Sequence, residues 1–198
     1  MIAFILLAVI CITYILQLIF PSMLGIPLTE LFYFDPSRAF SEPWLFITSI
    51  FLHGSFIHLF FNGYALFLFG SILEHKIKTK NFLILFFLAG LIGSIFYFST
   101  ILLNIAPAIP ALGASGAIFG ILGALAVLMP EMRIWLWFFP MRMKHAALLW
   151  IALELFGTFN TGSGIASAAH LGGLLFGVIF GFYLKNKDEI DITFYRNY

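Results

Sequence analysis

The chain is poor in charge. Lys and Arg number 10 and Asp and Glu 9 in 198 residues, against 62% hydrophobic residues, and the net charge is +1. That scarcity excludes an ordinary water-facing domain, in which about a quarter of residues are charged, and the near balance excludes a general basic surface for nucleic acid. Cysteine is almost absent too: Cys11 stands alone in an apolar run, so no intrachain disulfide forms and the redox compartment is not legible. No Lys or Arg precedes the apolar core of Met1 to Phe20, and the run outlasts the core of a secretory signal, so it reads as a first spanning helix. With no inverted repeat and no ionisable cluster at a bilayer midplane, a small transporter or channel is disfavoured.

What remains is apolar sequence in long runs, including 26 Phe. Six of these runs approach bilayer thickness and predict spans at roughly 3–20, 55–73, 82–104, 115–129, 145–158 and 165–184. The fold class expected is an all-α membrane protein, a six-helix bundle forming one domain over 1–198. Between the first two spans, Pro21 to His53 carries Pro21, Pro27, Pro36 and Pro43 with Glu30, Asp35, Arg38 and Glu42, and its Leu, Phe and Trp content suits a membrane-interfacial loop. Lys76, Lys78 and Lys80 follow the second span, Arg133, Arg142 and Lys144 the fourth, and Lys185, Lys187 and Arg196 the sixth, leaving only Arg38 on the other side. The positive-inside rule then puts both termini, the 74–81 and 130–144 loops and the short 185–198 tail in the cytoplasm of a cell-membrane protein, with Trp135 and Trp137 as interfacial anchors.

This topology brings five polar side chains to one outer level. His53, His58 and Asn62 are early in the second span, Ser115 opens the fourth, and His170 lies about five residues into the sixth, only ~8 Å down at ~1.5 Å per residue. A serine in a glycine-rich helix is by itself more often a packing or back-bonding residue, whereas an intramembrane histidine is expensive and usually functional. Paired, they are a nucleophile and a general base. No Asp or Glu is expected beside either, so a dyad is predicted, with something other than a carboxylate setting the tautomer of His170. His58 and Asn62, four apart, share a helix face and with the Ser115 amide offer oxyanion donors. His53 reads as a hydrogen-bonding pin for the end of the loop. A three-histidine metal site ranks lower, since it leaves Ser115 without a role and no carboxylate supports it. Glu154, late in the fifth span, is expected to snorkel or pair with a neighbour, the less favoured reading being a gate near substrate entry. Gly173, Gly177 and Gly181 repeat every four residues beside His170, and Gly116, Gly120 and Ala124 repeat likewise after Ser115, so the two helices can approach closely.

The sequences His53-Gly54-Ser55-Phe56-Ile57-His58, then Asn62, Gly113-Ala114-Ser115-Gly116, and Ala169-His170-Leu171-Gly172-Gly173 with Gly177, resemble the motif set of the rhomboid family of intramembrane serine proteases. The likeness extends from about Pro43 to Gly181 and includes Pro43-Trp44, Thr48, Gly70 and Glu74. It implies a six-helix core, Ser115 as nucleophile, His170 as base, His58 and Asn62 as oxyanion donors beside the Ser115 amide, a lateral first loop over 21–44, and no cofactor. It further implies transmembrane substrates in the bilayer, cut near the outer leaflet at small residues with helix-weakening residues just beyond. Two positions depart from the pattern: Leu45 stands where many members carry Arg, and Phe119 where many carry a Tyr stacked on the histidine. The alternative function is that of a non-proteolytic relative that binds and escorts membrane helices; such relatives usually lack the serine or the histidine, and both are present here.

Overall fold

The computed structural model describes residues 1–136, 138–160 and 166–187; Trp137, Arg196 and most of the 185–198 tail lie outside them. Helix α1 (Ile2–Leu24) runs four residues past Phe20, carrying Pro21 inside its last turn. A proline removes one N–H but leaves the preceding turns intact, and Ser22 Oγ donates back to the Leu18 and Ile19 carbonyls at 3.1 and 3.0 Å. Gly25, at φ 67°, ends the helix in the left-handed conformation and bonds the Phe20 carbonyl. At the other end, the Ile2 and Ala3 amides donate to the Glu74 carboxylate at 2.8 and 2.9 Å, an acid placed where a helix N-terminus has unpaired donors.

The segment that follows is a folded loop. It contains α2 (Leu28–Phe32), a 3-10 turn at Pro36–Arg38, α3 (Leu45–Thr48) and a second 3-10 turn at Ser49–Phe51. Leu45 is fully buried and packs with Phe34, Ala39, Tyr97, Phe98 and Ala168. The cation that holds this loop is instead Arg38, which reaches Asp35, Glu42 and the Glu30 carbonyl at 3.4, 3.1 and 2.6 Å. Donation from the Ser37 hydroxyl holds the Asp35 carboxyl below its ordinary range. Phe34 and Ala111 exchange backbone hydrogen bonds, both 2.9 Å, tying the loop to the strip that leads into Ser115.

Helix α4 (Phe56–Ala65) is capped by Ser55 Oγ, which accepts from the His58 amide at 3.1 Å. A π-helical turn at Leu66–Gly70 leads into α5 (Ser71–Leu102), interrupted at Lys78, where φ is 65° and ψ 155°. The chain reverses there: a Cβ at Gly70 would lie 3.4 Å from the Phe82 ring, whereas twelve residues of straight helix span ~18 Å. The expected 74–81 loop thus shrinks to one non-helical residue, and Lys76 is fully buried rather than solvated.

Helix α6 (Ser115–Leu128) sits in the middle of the bundle. The 130–144 region, expected as a plain loop in an all-α fold, is an antiparallel hairpin of β1 (Arg133–Leu136) and β2 (Phe139–Arg142), with Arg133 opposite Arg142. Glu131 anchors its base through Arg142, at 2.8 Å, and Lys144. Helices α7 (Met143–Phe159) and α8 (Ser167–Asn186) complete the described fold. Among the described residues, Ile2–Leu24, Phe56–Leu102 and Ser167–Asn186 are long and apolar enough to cross a membrane, and Ser115–Leu128 is a shorter apolar helix.

The glycine stripes meet as their spacing predicts. A Cβ on Gly173 would collide with the Gly116 carbonyl oxygen, one on Gly177 with that of Gly120, and one on Gly181 would come within 3.3 Å of the Ala124 Cα. The α6 and α8 backbones are therefore in direct contact, a spacing that any side chain would break. Gly177→Ala is expected to destabilise the detergent-solubilised protein by roughly 1–3 kcal/mol through overpacking, seen as a lower melting temperature. Gly54→Ala, whose Cβ would meet only Leu112 at 3.6 Å, serves as the near-neutral control.

Candidate active site

Ser115 is the first residue of α6, so its amide is one of the unpaired donors of a helix start. Gly113, two residues before, has φ 122° and donates its amide to the Ser49 carbonyl at 2.9 Å. That left-handed turn aims the serine side chain across to α8. Ser115 Oγ lies 2.7 Å from His170 Nε2, although 55 residues separate them in the chain. The Phe119 ring, one helical turn after Ser115, stacks on the imidazole at 4.6 Å between centroids and 5° between planes, and Trp150 meets Phe119 edge-on at 6.2 Å. A phenyl ring thus fixes the imidazole plane without a hydroxyl.

The expectation that no carboxylate lies near His170 is wrong. Glu154 Oε1 on α7 stands 3.1 Å from His170 Nδ1, and the two side chains are only 14% and 13% exposed. The oxygen sits off the axis of the ring N–H, so this is a close contact rather than a formed hydrogen bond. Glu154 does pair with a neighbour, as its sequence context suggested, but that neighbour is the histidine. An acidic residue inside an apolar run was the signal that singled it out; residue spacing gave no hint of its partner, because α7 and α8 are different helices.

His58 and Asn62 lie on one face of α4 and, with Gly54, Ser115, Phe119 and His170, line a cavity of about 520 Å³. Asn62 Nδ2 donates to His53 Nε2 at 3.0 Å, so His53 is held to the same helix that follows it. Its backbone is also held: Gln17 Oε1 accepts from the His53 amide at 3.0 Å, and Gln17 Nε2 donates to the His53 carbonyl at 3.2 Å and to Thr29 Oγ1 at 2.9 Å. Gln17, a buried amide in the first apolar run, is a positioning group that the sequence reading passed over. His58 packs edge-on to His53 at 5.1 Å, and a Cβ on Gly113 would lie 2.6 Å from His58 Cε1. Gly116, Gly173 and Gly177 contribute contact between backbones rather than side-chain chemistry. Among the described residues no group of three or more His, Cys, Asp or Glu is arranged to hold a metal ion.

A family model described as the rhomboid domain matches residues 41–187. The chain belongs to the rhomboid family. Among individual rhomboid proteins, it is 36% identical over 146 residues to "Rhomboid protein 1, mitochondrial" of Saccharomyces cerevisiae, a match covering 72% of this chain and 42% of that one. It is also 43% identical over 54 residues to "Putative rhomboid protease YdcA" of Bacillus subtilis, covering 27% of each. The matches thus span less than half the length of either curated relative.

The contact between Gly113 and His58 yields a test of the cavity wall. Gly113→Ala adds a methyl where His58 stands and forces a strained φ, so labelling of Ser115 by a fluorophosphonate is expected to slow at least tenfold, by analogy with the loss of one oxyanion donor. Labelling rates with helix content checked by circular dichroism measure it.

Proposed function

We propose that this rhomboid-family chain is a serine-type intramembrane endopeptidase that cleaves transmembrane-helix substrates through Ser115 and His170. The observation that carries the reading is the 2.7 Å approach of Ser115 Oγ to His170 Nε2 inside a cavity lined by His58 and Asn62. At that distance the serine hydroxyl donates to Nε2, which requires His170 to carry its own proton on Nδ1.

Chemistry then follows in two halves. Ser115 Oγ attacks the scissile carbonyl carbon as its proton passes to His170 Nε2, and the carbonyl oxygen becomes an oxyanion facing the Ser115 amide, His58 and Asn62. Collapse breaks the C–N bond, and the proton on Nε2 goes to the leaving amine. Water, deprotonated by Nε2, then attacks the acyl-enzyme ester and regenerates Ser115 with its proton. Each oxyanion donor is typically worth ~3–4 kcal/mol in such a transition state. Asn62 has two amide hydrogens, and its bond to His53 uses one, leaving the other for the oxyanion. Phe119 replaces the usual tyrosine as the stacking platform, and no cofactor enters.

In this reading the single domain, 1–198, crosses the cell membrane six times. The α5 reversal at Lys78 separates the second and third crossings. Both termini and the hairpin face the cytoplasm, and the Ser115 cavity opens outward. The support is the placement of the basic residues, of which all but Arg38 among the 10 fall on one side. Helix α6, at 14 residues, is ~21 Å long, shorter than the ~30 Å hydrocarbon layer, so Ser115 sits below the outer surface where substrate helices lie. Partners are therefore transmembrane proteins and the lipid itself.

Ser115→Ala is expected to abolish cleavage of a helical membrane substrate in liposomes, with the melting temperature little changed, and to abolish fluorophosphonate labelling. Cleavage by that variant at the parent rate would overturn the assignment of Ser115, whereas a parent chain that neither cleaves nor labels would leave helix binding and escort as the surviving function.

A further inference from the structure

The geometry around His170 Nδ1 points to a group that a serine–histidine dyad does not use. Ser115 occupies Nε2 and Phe119 covers the ring face, while Nδ1 is buried and, among the described residues, makes no hydrogen bond. A neutral imidazole whose Nε2 accepts from serine must bear its hydrogen on Nδ1, and a buried N–H without an acceptor is unfavourable. Glu154 Oε1, 3.1 Å away, is the charged acceptor facing it.

The backbone holds the two in register. Gly157 and Ser167 touch where α7 ends and α8 begins, a Cβ on Gly157 falling 3.0 Å from the Ser167 Cβ. Glu154 is three residues before Gly157 and His170 three after Ser167, so each lies one turn in from that contact on its own helix. The Glu154 carbonyl accepts from Thr158 Oγ1 at 2.8 Å, and Trp150, one turn earlier on α7, backs the Phe119 ring. Glu154 is thus built into the same face of α7 that supports the histidine, rather than turned to lipid.

We propose that Glu154 is the positioning residue of a Ser115–His170–Glu154 triad. Its carboxylate selects the Nδ1–H form of His170 and stabilises the imidazolium formed when Nε2 takes the Ser115 proton. The proposal rests on the serine-protease reading above. In the resting state the carboxylate is off the N–H axis, and alignment comes as His170 acquires charge, since catalytic hydrogen bonds commonly tighten only in the reacting complex. The seating of α7 is thereby coupled to chemistry: a bundle in which α7 moves away from α8 keeps its dyad but loses the acceptor.

The test uses the whole chain in liposomes with Glu154→Gln, Glu154→Asp and, in parallel, Ser115→Ala. Glu154→Gln keeps the shape and an acceptor oxygen but removes the charge. It is expected to lower kcat and the fluorophosphonate labelling rate roughly tenfold to hundredfold, as for loss of a charge-assisted hydrogen bond, with KM and melting temperature near the parent values. Glu154→Asp is expected to recover part of that loss. A parent-like rate in Glu154→Gln, or a loss confined to KM or to melting temperature, overturns the proposal while leaving the dyad in place if Ser115→Ala is silent. Labelling that persists in Ser115→Ala overturns both readings together.

Discussion

The contact of α6 with α8, backbone against backbone, is the constraint on which the remaining structure depends. Gly173 lies on the Gly116 carbonyl and Gly177 on that of Gly120, so the helix axes approach more closely than any side chain would permit. A hydroxyl and an imidazole on opposing helices then meet at 2.7 Å. Because lipid tails supply no hydrophobic drive for helix association, this shape match and the dispersion contacts it allows must hold the pair together. The same stripes that pack the bundle therefore set the distance between the Ser115 hydroxyl and the His170 imidazole.

Around that contact, buried polar groups are joined in pairs, most of which span distant parts of the chain. Glu74 binds the amides at the start of α1, Gln17 clasps both backbone groups of His53, and Asn62 holds the His53 ring. An apolar surrounding makes each unmade hydrogen bond costly, which turns a few side chains into fixed struts. The loop between α1 and α4 is held by the same means: Arg38 spans two carboxylates and a carbonyl, and Phe34 pairs with Ala111 just ahead of Ser115. Leu45 needs no charge because its role is to be buried in the aromatic cluster of that loop.

Legibility in the sequence followed the range of the interaction. Ser115, His170, His58 and Asn62, grouped by counting positions along each apolar run, line one cavity. The helical period likewise foretold that Gly173, Gly177 and Gly181 would face Gly116, Gly120 and Ala124. Missed were features that depend on a single residue's conformation or on a partner in another helix. Lys78 folds α5 back with one positive φ, α1 carries Pro21 through its last turn, and the 130–144 region pairs as a hairpin. None of these has a periodic signature.

Composition and pattern alone thus determined a membrane-spanning helical chain, the polar residues that come to line one cavity and the stripes that let two helices meet. Only the tertiary structure decided that Glu154 faces His170 Nδ1 at 3.1 Å and that Gln17 holds both backbone groups of His53. The physical reason is rotation. Hydropathy and charge constrain how deep a residue lies, whereas the direction its side chain takes about the helix axis is set by which neighbouring helix packs there, and that choice rests on contacts between segments far apart in the chain.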